Sequence, residues 1–319
     1  MLPPGKSKGR GMAMSDSTAM GKTGFVGLGN MGGPMARNLL KAGVKLVVHD
    51  IDARKVQALS AAGAEVAATP QAVARETTRS ICLVETTAQA EAVIAGATGF
   101  LHGARRGHIV ICMSTIDPFA LRRMGEALAG QGITLLDAPV SGGTTGAAAG
   151  TLSVIVGGPA EGFAACEDLF RAMGRNVFHV GALGNGLAMK LLNNMLLQVN
   201  TVAVAEALVL GTKAGLDPRQ IEQVVSVSTG HSQAFARSAP RMIGRDFSAS
   251  GTTDISFKDQ ELETGFAKAL GVPILLANLT QQVYQMARAA GYGKEDGSSV
   301  VKVLERLAGV TVGGEPPRS

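Results

Sequence analysis

The chain has no tryptophan, and with two tyrosines and ten phenylalanines its aromatic content is only 4% of 319 residues. Proteins that track single-stranded nucleic acid need rings on which bases stack, so that class of function is disfavoured. Charged residues make up 17%, too few for a disordered polyelectrolyte. Cysteine is scarce as well. Cys82, Cys112 and Cys166 are an odd set at wide spacings, two of them inside apolar runs, which predicts buried free thiols in a reducing compartment and a cytoplasmic protein. The five histidines stand apart from one another and no Cys/His spacing suits a metal, so none is expected. The most apolar long segment, residues 187–210, is broken by Asn193, Asn194, Gln198, Asn200 and Glu206, and a membrane span is not expected there. Residues 1–21 lack the apolar stretch of a secretory signal and read as a disordered leader.

The apolar share is 46%, and 319 residues exceed what one core usually organises, so two domains are expected. The formal charge of +5 falls to +3 once the leader is set aside, because Lys6, Lys8 and Arg10 outnumber Asp16 there. No basic stripe appears elsewhere, which speaks against a nucleic-acid partner while suiting an anionic cofactor or a small carboxylate substrate.

From residue 23 to about 180, short β-branched runs alternate with amphipathic stretches. The clearest strands are 25–28, 46–50, 81–84, 109–113, 134–137 and 152–156, with Pro70 and Pro118 placed to open helices. This pattern predicts an α/β domain with a doubly wound, mostly parallel sheet over 22–183. After Gly186 apolar residues recur every three or four positions to Gly215, which predicts a long helix shared between domains or with a partner subunit. Asp217-Pro218, Val272-Pro273 and Asp296 mark further helix starts, so an all-α domain is expected over 184–310, followed by a flexible tail at 311–319. The apolar faces of the long helix exceed what one subunit covers, and a homodimer or homotetramer is expected.

The first strand runs into Gly27-Leu28-Gly29-Asn30-Met31-Gly32, then a helical stretch, then a strand ending in Asp50, eighteen residues after Gly32. In that context the glycines read as a dinucleotide-binding turn. Gly27 permits the tight bend, Gly29 lets the backbone approach a pyrophosphate, and Gly32 lets helix and strand pack. Asp50 is placed to accept hydrogen bonds from a ribose 2′-hydroxyl, and Ile51 and Asp52 offer no cation for a 2′-phosphate. Arg54 reads as a solvated helix residue. The expected cofactor is NAD rather than NADP.

Three further blocks follow: Asp137-Ala138-Pro139-Val140-Ser141-Gly142-Gly143, then Gly184-Asn185-Gly186 with Lys190 and Asn194, then Lys258-Asp259. With the glycine turn, they resemble the β-hydroxyacid dehydrogenases, in family order from about residue 24 to 309. The resemblance implies a nicotinamide-dependent oxidoreductase acting on a small 3-hydroxy carboxylic acid, with Lys190 as general acid/base. It also implies that Ser141, Gly142 and Gly143 hold the substrate carboxylate and that Asn194 contacts the substrate. Thr115 and Lys258 are implied to approach the cofactor, and Val84 is counted with the turn residues among its contacts. The run from Gly291 to Asp296 looks similar to the L-threonate and 2-(hydroxymethyl)glutarate branches.

Each role also has a physical basis. Hydride transfer from an alcohol requires the hydroxyl proton to leave, and a lysine serves if burial or a neighbouring cation lowers its pKa. Lys190 and Asn194, four apart on a helix, share a face. Ser141-Gly142-Gly143 offers a hydroxyl and two unhindered amides, although a plain glycine turn towards Thr151 is the simpler reading of those residues alone. Thr115 is equally readable as the cap of the helix near Pro118. His231, Ser232 and Arg237 read as a surface loop. The sequence departs from the family at Val84-Glu85-Thr86-Thr87, where a Leu-Pro pair is common, and at Cys112-Met113. Two rival readings are a decarboxylating dehydrogenase and a non-catalytic nucleotide-binding scaffold.

Overall fold

The structure, a computed structural model, describes residues 21–313. The expected leader and the end of the expected tail lie outside them. Six parallel strands form the main sheet: β1 (Thr23–Val26), β2 (Leu46–His49), β3 (Glu65–Val66), β4 (Arg79–Cys82), β5 (Ile109–Cys112) and β6 (Thr134–Asp137). Their order is β3-β2-β1-β4-β5-β6, so the winding direction reverses between β1 and β4. Between them run α1 (Gly32–Lys41), α2 (Ala53–Ser60), α3 (Pro70–Glu76), α4 (Thr87–Ile94) and α5 (Pro118–Ala129). Helices on both faces bury β1, β4 and β5 completely or nearly so, and β5 accordingly reads as an unbroken apolar run. This is the Rossmann arrangement, and its ligand crevice lies beyond the strand ends at the reversal.

A second sheet of three strands follows: β7 (Val140–Ser141), β8 (Leu152–Val156) and β9 (Gly174–His179), with α6 (Gly143–Ala149), α7 (Ala160–Ala164) and α8 (Glu167–Met173). β7 pairs antiparallel with β8 and β8 pairs parallel with β9. The run 152–156 therefore belongs to this small mixed sheet and not to the main one. Its inner face shares a core with β1 and α1, where Val154, Val156 and Phe170 meet Phe25, Met35 and Leu39.

The remainder is helical: α9 (Asn185–Lys213), α10 (Pro218–Ser226), α11 (Gln233–Gly244), α12 (Thr253–Ala269), α13 (Leu275–Ala289) and α14 (Val301–Ala308), with a 3-10 turn at Gly297–Val300. α9 packs against each of the other five helices. By length and composition it is apolar enough to cross a membrane, so its interrupting amides do not exclude it on that ground; here it is the shaft of a bundle. Its amides, Asn194 and Gln198, face inward. Proline after an Asp or Thr cap starts α3, α5 and α10, and Asp296 caps the 3-10 turn, as the sequence predicts.

Strand ends differ from the sequence reading. β1 and β4 each begin and end two residues earlier, because Gly27-Leu28 and Leu83-Val84 already belong to the turns at the crevice. β3, β7 and β9 have no apolar signature. Two are only two residues long, and β9 is mostly exposed.

Candidate active site

The glycine turn sits at the end of β1. Gly27 has φ +95°, and a side chain there would collide with the Leu83 carbonyl at the end of β4. Gly32 packs as closely on the Gly27 carbonyl. Gly29 is the opposite case: a Cβ there would meet nothing within 4 Å, so its backbone faces open space. α1 begins beside it at Met31, whose side chain makes no capping bond, and Asn30 is exposed. Uncapped amides at the start of a ten-residue helix, beside a backbone bared by glycine, fit a pyrophosphate.

Asp50 follows β2, and both its oxygens are engaged by backbone: Oδ2 accepts from Leu28 N (2.6 Å) and Oδ1 from Asp52 N (2.8 Å). It thus braces the glycine turn, and each oxygen retains a lone pair for a further donor. Arg54 pairs with Asp52, the cap of α2, at 3.0 Å and is largely exposed.

The strand ends beside the turn complete this rim. Val84 lies against Gly27, and its amide donates to Ser114 Oγ (2.8 Å). Asp117, not Thr115, caps α5. Of the two readings of Thr115, the capping one is therefore wrong: Asp117 directly precedes Pro118, has the extended backbone of a cap, and accepts from Phe119 N (2.9 Å) with Oδ1. Instead the Thr115 carbonyl accepts from Lys258 Nζ at 2.9 Å, and the Glu85 carbonyl does so at 3.3 Å. The Glu85 side chain is exposed. Lys258 thus crosses from α12 to the rim of the sheet, while its ammonium also pairs with Asp259 (2.9 Å).

α9 starts against the same rim. Asp137, at the end of β6 and fully buried, accepts from Gly184 N (2.8 Å) with Oδ1 and from Leu187 N (2.7 Å) with Oδ2. Burial pushes its carboxyl above the ordinary value, and these two amide bonds oppose that rise. A side chain at Gly186 would strike the Ile155 carbonyl, so only glycine lets the helix start so near β8.

One turn on, Lys190 is 9% exposed. Burial brings its amine down to about 8, helped by the positive charges of Lys258 and Arg237 and opposed by Asp259 and Glu263. Asn194 follows on the same face, its Nδ2 donating to Asp259 Oδ2 (2.7 Å). The amide nitrogen is therefore committed to α12.

Ser141 ends β7, and Gly142 (φ +132°) and Gly143 (φ +63°) turn the chain into α6, a short helix where the sequence suggests only a turn. Gly143 faces the Ser250 carbonyl. Arg237 is not in a surface loop: it lies in α11 behind the Ser232 cap, and its Nη2 donates to Ser250 Oγ (3.1 Å). The same Nη2 pairs with Asp296 (3.4 Å), and the charge of Arg237 is felt at Lys190. Asp137, Asp259 and Glu263 are the site's residues to which the sequence assigns no role, and Arg237 reads there as part of a surface loop. Asp137 and Asp259 stood inside motifs already quoted, whereas nothing in the sequence marked Glu263.

Residues 22–181 match the family described as the NAD binding domain of 6-phosphogluconate dehydrogenase. Residues 184–304 match that described as NAD-binding of NADP-dependent 3-hydroxyisobutyrate dehydrogenase. A 2-(hydroxymethyl)glutarate dehydrogenase from Eubacterium barkeri is 37% identical over 294 residues, 92% of this chain and 98% of its own. Human mitochondrial 3-hydroxyisobutyrate dehydrogenase is 37% identical over 288 residues, 88% of this chain and 86% of its own. The structure of a Mycobacterium tuberculosis 3-hydroxyisobutyrate dehydrogenase with L-serine superposes with a TM-score of 0.83 at 32% identity, covering 89% of this chain and 99% of that one.

Proposed function

The chain belongs to the β-hydroxyacid dehydrogenase family of nicotinamide-dependent oxidoreductases acting on CH–OH donors, and from that premise we propose that Lys190 moves the proton as a small 3-hydroxy carboxylic acid is oxidised. The observation that carries this reading is a buried amine, lowered to about 8, on a helix whose first turn is bonded to the sheet rim. A bound nicotinamide dinucleotide supplies the hydride acceptor, or in reverse the donor.

In oxidation the neutral Lys190 amine takes the hydroxyl proton; in reduction its ammonium returns one to the carbonyl oxygen. Ser141 Oγ and the amides of Gly142 and Gly143 hold the substrate carboxylate, with Arg237 adding positive charge behind them. Asn194, its nitrogen committed to Asp259 and its carbonyl oxygen accepting from Asn193 Nδ2 (3.2 Å), keeps one lone pair of that oxygen for the substrate hydroxyl. Lys258 steadies the rim at Glu85 and Thr115, beside the cofactor. NAD is the cofactor we favour over NADP, because Asp50 directly follows β2 and Arg54 is occupied by Asp52.

The decisive experiment is a dinucleotide-reduction screen over small 3-hydroxy acids, run with wild type and Lys190→Ala. Turnover should fall by a factor of about 100 or more with dinucleotide binding kept. Undiminished turnover in the variant would remove Lys190 from this role, and tighter binding of NADP than NAD would overturn the cofactor reading.

A further inference from the structure

Two hydrogen bonds fix how α9 and α12 face one another. Asn194 Nδ2 donates to Asp259 Oδ2 (2.7 Å), and one turn further along α9 Gln198 Nε2 donates to the Ser256 carbonyl (3.2 Å), one turn earlier on α12. The helices are therefore antiparallel there. Followed one turn the other way, the same register sets Lys190 opposite Glu263. Both are buried, Glu263 at 5% exposure, and each appears in the other's electrostatic surroundings. Glu263 Oε1 has no hydrogen-bond partner among the described residues. A buried, unpartnered carboxyl oxygen set opposite the reactive amine needs a reason to be there.

We propose that Glu263 is the second proton-holding group of this site, exchanging a proton with Lys190 each time the lysine exchanges one with the substrate oxygen. The proposal rests on the assignment of Lys190 made above. Burial, reinforced by the negative charge of Asp259 and opposed by Lys190, raises the Glu263 carboxyl to about 9. At neutral pH it is thus a neutral acid beside an amine that titrates near 8. The other charged or titratable groups bearing on the pair are Lys258 and Asp259 on α12, Arg237 on α11 and Tyr284 on α13. Burial pushes the Tyr284 phenol upward, so it stays neutral across the working range.

In reduction, hydride brings two electrons to the carbonyl carbon from the reduced dinucleotide. A Lys190 Nζ–H bond breaks and the substrate O–H bond forms, leaving a neutral amine. The Glu263 O–H bond then breaks, a new Nζ–H bond forms, and the pair is left as ammonium and carboxylate. The carboxylate recovers its proton from water when product leaves. Oxidation runs the same exchanges backwards. No ion pair joins Lys190 and Glu263 directly among the described residues, so the proton passes through one bridging water or a rotation of either side chain.

The test compares wild type, Lys190→Ala, Glu263→Gln and Glu263→Asp, by steady-state rates in both directions and by dinucleotide binding. Gln keeps the size and neutrality of the acid but cannot give up a proton. In Glu263→Gln, kcat for reduction should fall about tenfold or more, with substrate KM and dinucleotide affinity within about twofold. The alkaline limb of reduction should lose two protons in wild type and one in Glu263→Gln. Glu263→Asp should restore the two-proton limb, which a packing role would not do. If Lys190→Ala is inactive while Glu263→Gln keeps the wild-type kcat and the two-proton limb, the role of Glu263 is refuted and that of Lys190 stands. If Lys190→Ala retains turnover, the assignment of Lys190 fails and this proposal with it.

Discussion

At Lys190 desolvation outweighs the attraction of its acidic neighbours, because the net movement of its pKa is downward, to about 8. The amine must be neutral to accept a proton, so kcat/KM for oxidation should rise with pH and level off above about 8, while reduction declines over the same range. A pH series in each direction checks this, and a flat profile between about pH 7 and 9 would contradict it. Glu263 carries the opposite thermodynamic sign to an ordinary paired carboxylate. Its pKa is raised from 4.5 to about 9, so the folded state holds the proton more tightly than the unfolded chain does. That stabilisation is complete below pH 4.5 and is lost as pH rises towards 9. Glutamine does not titrate, so the Tm of Glu263→Gln relative to wild type should climb from about pH 5 to about pH 8, as thermal melts at both values will show. On the proposed assignment of its hydroxyl to the substrate carboxylate, Ser141→Ala should raise substrate KM with little change in dinucleotide affinity.

At the scale of elements, the junction of β6 and α9 carries most of the geometry. Asp137→Asn keeps the shape but turns one of two acceptors into a donor facing a peptide N–H, leaving a buried amide unpaired at a cost of about 1–3 kcal/mol. Differential scanning should find a lower Tm, at roughly 2–4 °C per kcal/mol, and kcat should fall with it because Lys190 lies one turn beyond those bonds. Wild-type Tm and kcat in the Asp137→Asn variant would show that the two bonds do not set the helix.

The alternation that marks β1, β2, β4, β5 and β6 was legible because burial on both faces demands apolar residues. Helix starts were legible wherever an Asp or Thr precedes proline. The small sheet was not, because β7 is two residues long and β9 turns polar side chains to water. The glycine turn could be found from spacing, and Lys190 and Asn194 from the resemblance to the β-hydroxyacid dehydrogenases. Glu263 could not, because its meaning lies in the register between α9 and α12, a pairing that no local pattern encodes.

On the whole molecule, apolar side chains remain uncovered along the outside of the bundle. On α13, Leu275, Leu276 and Leu279 are 79%, 69% and 65% exposed, and Leu192 and Leu196 of α9 are also open to water. So many large side chains on neighbouring helices suit a face between subunits, and a homodimer or homotetramer is expected. Sedimentation at micromolar concentration should show one of these, and Leu276→Lys with Leu279→Lys should shift it towards monomer. A wild-type protein that sediments only as monomer would contradict the reading.

The 29 residues of α9 make a rod about 44 Å long, held at one end by Asp137. Lys190 rides close to that fulcrum, so a tilt that swings the far tip by several ångströms displaces the reacting amine by only about a fifth as much. Displacement of the far end, near the exposed Leu210, therefore leaves the lever's short arm and its amine close to their aim.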